Sequence, residues 1–329
     1  PLRRLTPTGF TRMPFTAPHW IPAAPLQALS FDWSVRAGVE LAVLRLDLLD
    51  PLLSGNKWFK LRPHIEAASA AGADGLISLG GAHSNHLHAL AAAGQRFGFA
   101  TVGLLRGEAQ DTPTVRDLQA FGMQLHWLGY GGYRRRHSPD FWQPWRERYP
   151  QLLPVDEGGG GLLAARSCAA IVEMARQQLG ALGWADYHSW WLAAGTGTTA
   201  AGLVMGEQGA RMVHVAMAVP PGHGVEQAVP AMLGEAGLAD RGYRLLDASL
   251  GGFGKVDARL AQLIDDGERS AGLPLEPLYT GKALLALRDE VEAGYFAPGT
   301  RLLLLHTGGL QGRRAMAQRL EELAAVRRE

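Results

Sequence analysis

The 329-residue chain predicts an α/β fold in two domains, with parallel, twisted sheets flanked by helices. Three observations predict it. Short apolar runs rich in Leu, Val and Ile alternate with helix-length segments, the pattern of βαβ units. Glycine-rich turns follow several of those runs directly. The hydrophobic content of 47% is enough to bury more than one core.

The elements follow in order. Residues 41–46 form an apolar strand. Residues 60–71 carry apolar side chains at helical spacing and stop at Gly72, a C-terminal cap. Residues 75–79 make a short buried strand, 86–97 an Ala- and Leu-rich helix ending at Gly98, and 100–105 the next strand. Helix 114–121 and strand 124–128 follow. Residues 129–150, rich in Arg, Tyr, Trp and Pro, read as irregular or as a short helix. The Gly158-Gly159-Gly160-Gly161 break precedes a helix over 162–179 and a strand over 189–194. A helix over 200–208, a strand over 212–219, a helix over 282–293 and a strand over 300–305 complete the alternation. The Gly308-Gly309 turn and a last helix end it. The expected division is a large domain of residues 1–59 plus 152–329 and a small domain of residues 60–151, with the ligand in the cleft between them.

Charge and composition narrow the partners. The net charge is +1, with no long run of one sign, which argues against a nucleic-acid or membrane-surface partner. No run reaches the roughly 18 apolar residues of a spanning helix. Arg3 and Arg4 are not followed by an apolar stretch, so no signal peptide is read. The single Cys168 lies in an apolar helical stretch and reads as a buried structural thiol in a reducing compartment. The expectation is a soluble, cytoplasmic protein with a small-molecule partner.

Three motifs carry chemistry. The first is Ser54-Gly55-Asn56-Lys57-Trp58-Phe59-Lys60-Leu61. The chain holds four lysines, Lys57, Lys60, Lys255 and Lys282, so two of them in one strand-to-helix junction is informative. The second is Gly80-Gly81-Ala82-His83-Ser84-Asn85-His86, between a strand and a helix. Free N–H groups and the partial positive charge at that helix start suit an anion such as a substrate carboxylate. Ser84 can hold that carboxylate or move a proton, and Asn85 can donate to a ligand oxygen. Either residue also fits a plain helix cap. The third is Gly195-Thr196-Gly197-Thr198-Thr199, whose hydroxyls and N–H groups suit a dianionic phosphate. It also fits the dinucleotide pattern G-x-G-x-x-G/A, but the next strand ends in Val219-Pro220-Pro221 with no acid for a ribose. A lysine, an amide beside a hydroxyl and an anion-cradling turn are the parts that hold an aldehyde cofactor bearing a phosphate. The chain therefore reads as a pyridoxal 5′-phosphate (PLP) enzyme. His83, His86 and His88 lie close in sequence but lack the companions of a metal site, and no metal is expected.

The chain resembles the PLP-dependent 1-aminocyclopropane-1-carboxylate (ACC) deaminase and D-cysteine desulfhydrase family, within the tryptophan-synthase-β-like fold group. The resemblance runs from about residue 41 to residue 310. It rests on the three motifs above, on Pro277-Leu278-Tyr279-Thr280-Gly281-Lys282 and on His306-Thr307-Gly308-Gly309. It implies that Lys57 carries the cofactor as a Schiff base and acts as the base, with Ser84 and Tyr279 as the other catalytic residues. Asn56, Lys60, Asn85, Gly195, Thr196, Gly197, Thr198, Thr199, Thr280 and Thr307 would bind the cofactor. Ser84, Asn85, His86 and Tyr279 would bind substrate. Where ACC deaminases carry a glutamate after the tyrosine and a leucine after the late histidine, this chain has Thr280 and Thr307. That pair resembles the D-cysteine desulfhydrase branch. The expected reaction is α,β-elimination on a small β-substituted amino acid, D-cysteine first, giving pyruvate, ammonia and hydrogen sulfide. ACC ring opening and cysteate sulfo-lyase activity are the alternatives within the family. A nicotinamide-dependent oxidoreductase and a non-catalytic PLP-binding protein are the alternatives outside it. Family habit implies a homodimer. The segment 130–149 departs from the family pattern and reads as an insertion.

Overall fold

The computed structural model describes residues 15–20, 22–53 and 55–325. Ser54 and the Arg3-Arg4 pair lie outside them. Ten strands form two sheets. They are β1 (Leu26–Leu29), β2 (Glu40–Arg45), β3 (Gly75–Gly80), β4 (Ala100–Leu105), β5 (Gln124–Trp127), β6 (Leu152–Val155), β7 (Ser189–Ala194), β8 (Met212–Met217), β9 (Tyr243–Asp247) and β10 (Arg301–His306). The larger sheet has the order β1-β2-β10-β7-β8-β9 and the smaller β5-β4-β3-β6. Every pairing is parallel except β1 with β2.

Parallel strands covered on both faces must be apolar on both faces. That is why β7, Ser189–Ala194, is buried at every position. Its alternate residues enter different cores. Trp190, Leu192 and Ala194 pack with Leu303 and Leu305 of β10 on one face. Trp191 and Ala193 pack with Leu302 and Leu304 on the other. The smaller sheet repeats this, with Leu76 and Leu105 facing one core and Ile77, Leu79, Val102 and Leu104 the other.

Three departures from the sequence reading have local causes. The smaller sheet gains β6, which registers Leu152 opposite Gly75 and so carries that sheet past the expected boundary at 151. The helix expected over 162–179 is split into Leu162–Cys168 and Ala170–Arg176. At the break the N–H of Ala169 bonds the Arg166 carbonyl and that of Val172 bonds the Ala169 carbonyl, three-residue spacings instead of four. Residues 130–149 are not a loose insertion. Short helices Gly129–Arg134 and Gln143–Arg148 place Tyr133, Phe141 and Tyr149 against Ile77, Leu79, Val102 and Leu104, so the segment covers the outer face of the smaller sheet. Among the described residues no helix is long and apolar enough to cross a membrane.

Candidate active site

The turns that follow β3, β7 and β10 all open at the carboxyl ends of their strands, where parallel sheets leave room for ligands. They line one cavity of about 300 Å³, together with the start of the helix Lys57–Ala70.

Lys57 is the first residue of that helix, and it arrives there through an interlock. Gly55 has φ +79, and a Cβ built on it would lie 2.1 Å from the carbonyl oxygen of Thr307. Only glycine fits such a position. The N–H of Asn56 donates to the same carbonyl at 3.1 Å. The Asn56 amide then reaches across to Thr199 Oγ1 at 2.8 Å, so its first partner is the glycine turn. Lys57 Nζ, by contrast, has no hydrogen bond or ion pair among the described residues. Burial lowers its pKa to about 8 from the usual 10.5. Lys60, one turn along, is buried and donates to Thr196 Oγ1 at 3.2 Å. Burial first, and the Lys57 charge second, push its pKa well down.

The glycine turn faces these amines. Gly197 has φ +74 and caps the helix Thr198–Glu207, whose first N–H groups open into the cavity. Thr196 Oγ1 and Thr198 Oγ1 lie 3.2 Å apart. Gly158 and Gly159 close the far side: a Cβ on Gly158 would come 3.1 Å from Thr196, and one on Gly159 3.2 Å from the His86 ring. Two amines without a carboxylate partner lie beside a helix N-terminus and two hydroxyls, and this end of the cavity suits a phosphate.

Ser84 caps the helix Asn85–Phe97, accepting from the Leu87 N–H at 3.2 Å, and its hydroxyl still lines the cavity. The capping and ligand readings thus fall on one atom. Asn85 Oδ1 accepts from Gln311 at 2.6 Å, which fixes the amide against Gly309. His86 belongs to the cavity floor. Ser78 donates to the Val155 carbonyl at 2.7 Å and so accepts from His86 Nε2 at 2.8 Å. That leaves His86 Nδ1 unprotonated, buried and without a partner. Burial and the two lysines keep the ring neutral.

Tyr279 stands across the cavity. Its ring edge blocks any Cβ at Gly195 (2.8 Å) and meets Phe253 edge-on at 5.3 Å. Burial, then the carboxylates of Glu276 and Glu157, raise its pKa, so the hydroxyl stays protonated. Thr307 lines the cavity beside it. Thr280 is placed differently from expectation. Its hydroxyl donates to Glu276 Oε1 at 3.1 Å, and Glu276, not Thr280, lines the cavity. Glu276 also accepts from the N–H groups of Leu278, Tyr279 and Thr280. Sequence reasoning missed it, and missed Arg106, Glu157 and Phe253 on the same cavity. Glu157 had a readable signal, an acid directly before the glycine run; it accepts from Tyr133 at 2.6 Å and Arg136 at 2.7 Å. The three neighbouring histidines do not form a metal site, and no metal-binding cluster occurs among the described residues.

A buried amine facing an anion cradle, at the carboxyl ends of parallel strands, defines a protein that holds a phosphorylated aldehyde. The sequence profile described as pyridoxal-phosphate dependent enzyme matches residues 20–308, and the chain belongs to that family. It is therefore a PLP-dependent enzyme, and the nicotinamide and non-catalytic alternatives fall away. A 1-aminocyclopropane-1-carboxylate deaminase from Burkholderia vietnamiensis is 28% identical over 337 residues, covering 94% of this chain and 97% of the relative. In fold, the chain is similar to a crystal structure of an ACC deaminase homologue, at TM-score 0.80 and 23% identity over 94% of this chain and 95% of the other. It is also similar to a hydrogen sulfide-producing enzyme from Fusobacterium nucleatum, at TM-score 0.65 and 14% identity over 89% and 97%. Together with the family match, the likeness in fold supports the tryptophan-synthase-β-like architecture expected from the sequence.

Proposed function

We propose that this cavity deaminates a small α-amino acid, with Lys57 holding the cofactor aldehyde and acting as the proton-transfer base, at Cα of D-cysteine or at a ring methylene of ACC, whose Cα carries no hydrogen. The carrying observation is Lys57 Nζ: on a half-buried side chain, without a hydrogen-bond partner, and on the same cavity as the threonine-lined helix start. PLP, once bound, supplies an electron sink for the bond broken at Cα. The chain's own residues do the rest. Gly195, Thr196, Gly197, Thr198 and Thr199, with Lys60, hold the phosphate. Asn56 steadies that turn through Thr199. Ser84 Oγ and the N-terminal N–H groups of the Asn85–Phe97 helix would hold the substrate carboxylate, and Asn85 would donate to the cofactor. A lowered pKa leaves part of the Lys57 population neutral near pH 7 and able to take a proton. Tyr279, kept protonated, donates to the departing or newly formed group at Cβ. Phe253 and Leu278 restrict water.

Two substrates follow from different observations. The name of the Burkholderia relative favours ACC, which would open to 2-oxobutyrate and ammonia. Thr280 and Thr307, at the two positions that separate the branches, favour D-cysteine, and the comparisons support ACC better. Glu276 supports ring opening as well, because a carboxylate lines the cavity where the sequence shows only Thr280. Purified protein assayed with ACC, D-cysteine, L-cysteine and cysteate decides. 2-Oxobutyrate from ACC alone supports the first reading, pyruvate with sulfide from D-cysteine the second, and no 2-oxo acid from any of them overturns the proposal. A homodimer belongs to the same proposal and is read by sedimentation equilibrium.

A further inference from the structure

We infer that Lys282 is a tethered internal cation that positions the aromatic wall of the cavity and takes the place of a bound monovalent metal ion. Lys282 is 1% exposed. It lies in the helix Thr280–Glu292, three residues after Tyr279. Its ammonium donates to three backbone carbonyls: Ser249 at 2.8 Å, Gly252 at 2.8 Å and Phe253 at 2.7 Å. An ammonium has three donors, and all three are used. No ion pair involves Lys282 among the described residues, so the site is made of carbonyl dipoles rather than a carboxylate. Converging backbone carbonyls are the ligand set that replaces the hydration shell of a potassium ion.

The loop is bent to make this site. Leu250 has φ +58 and Gly251 φ +78. A left-handed leucine is strained and persists only where its surroundings over-determine it. The turn brings the carbonyls of Ser249, Gly252 and Phe253 to one point. Ser249 is itself pinned, its N–H donating to Asp247 Oδ1 at 2.8 Å. Phe253 is the last residue of this arc, and it lines the cavity 5.3 Å from the Tyr279 ring. One nitrogen therefore ties the loop that carries one wall aromatic to the helix whose head carries the other. Without a cation, three inward carbonyls repel one another and the arc opens. Lys282 touches neither substrate nor cofactor; it acts through Phe253 and Tyr279.

The test compares salts at equal ionic strength, with potassium, ammonium or tetramethylammonium chloride. Wild-type turnover and melting temperature should be the same in all three. Lys282→Ala leaves the carbonyls and frees space for a small cation. Its melting temperature should fall and should recover in potassium or ammonium but not in tetramethylammonium chloride. Its KM should rise about tenfold with kcat changed less than about threefold, and ammonium should restore most of the loss. Lys282→Met fills the stem without a charge and should lose as much without rescue. Activation of the wild type by potassium, or a Lys282→Ala variant indifferent to the cation, overturns the inference. Failure of both variants to fold in every salt also overturns it, since an internal cation that ammonium can replace predicts a folded Lys282→Ala protein. The kinetic arm rests on the deaminase reading. The melting arm uses no substrate, so the two can fail separately.

Discussion

Lys57, half-buried on the cavity, and Lys282, fully buried, are both interior amines, yet their surroundings leave opposite things for the nitrogen to do. Burial lowers the pKa of both. Lys282 is met by three carbonyls that favour its charged form and use all its protons. Lys57 is met by none, and burial favours its neutral form. On the roles proposed above, the same side chain is structural in one place and nucleophilic in the other. The clearest difference lies in the acceptors.

The sharpest way to break this comparison is to remove the starved amine. Lys57→Ala should abolish the visible absorbance of covalently held cofactor and lower turnover by about a thousandfold or more. A variant that keeps both would move the reactive amine elsewhere. Next is the seat of that amine. Gly55→Ala drives a Cβ into the Thr307 carbonyl, at 2.1 Å, from a backbone with φ +79. It should cost about 3 kcal/mol or more in chemical denaturation, because neither backbone can yield. A third measurement tests the protonation state. The rate at which apo-protein captures PLP should climb about tenfold per pH unit and level off above the Lys57 pKa of about 8. The sign follows from the folded pKa lying below that of free lysine: the unfolded chain binds more protons between the two values, so the contribution of Lys57 to stability also grows with pH across that window. A capture rate that is flat from pH 6 to pH 9 would remove the distinction between the two lysines. The smallest effect belongs to Ser84→Ala. It should lose about 1 kcal/mol of helix capping in thermal melts, with KM raised about tenfold by loss of a carboxylate contact. Unchanged KM would reduce Ser84 to a cap.

Much of the fold is legible because buried parallel strands are nearly continuous apolar runs that end in glycine. Residues 75–79 and 189–194 announce themselves this way, and their following turns line the cavity. What stayed hidden lacks that signature. β9 is half-buried at the sheet edge, where an apolar run is not required. β6 contains Pro154, a residue that argues against a strand. At the site, the glycine turns and Lys57 were readable from residue type and order. Glu276 was not, because it sits three residues before Tyr279 and reaches the cavity only through the turn closed by Thr280. Lys282 was counted among four lysines, but three carbonyl oxygens carry no sequence signal.

The contact between Gly55 and Thr307 sets an order of events during synthesis. The segment that presents the reactive lysine leaves the ribosome early, and the carbonyl it nests against comes some 250 residues later. Residues 55–57 therefore have no finished seat until β10 has joined the larger sheet beside β2. A chain interrupted before β10 would therefore present Lys57 without the Thr307 carbonyl that seats the turn before it.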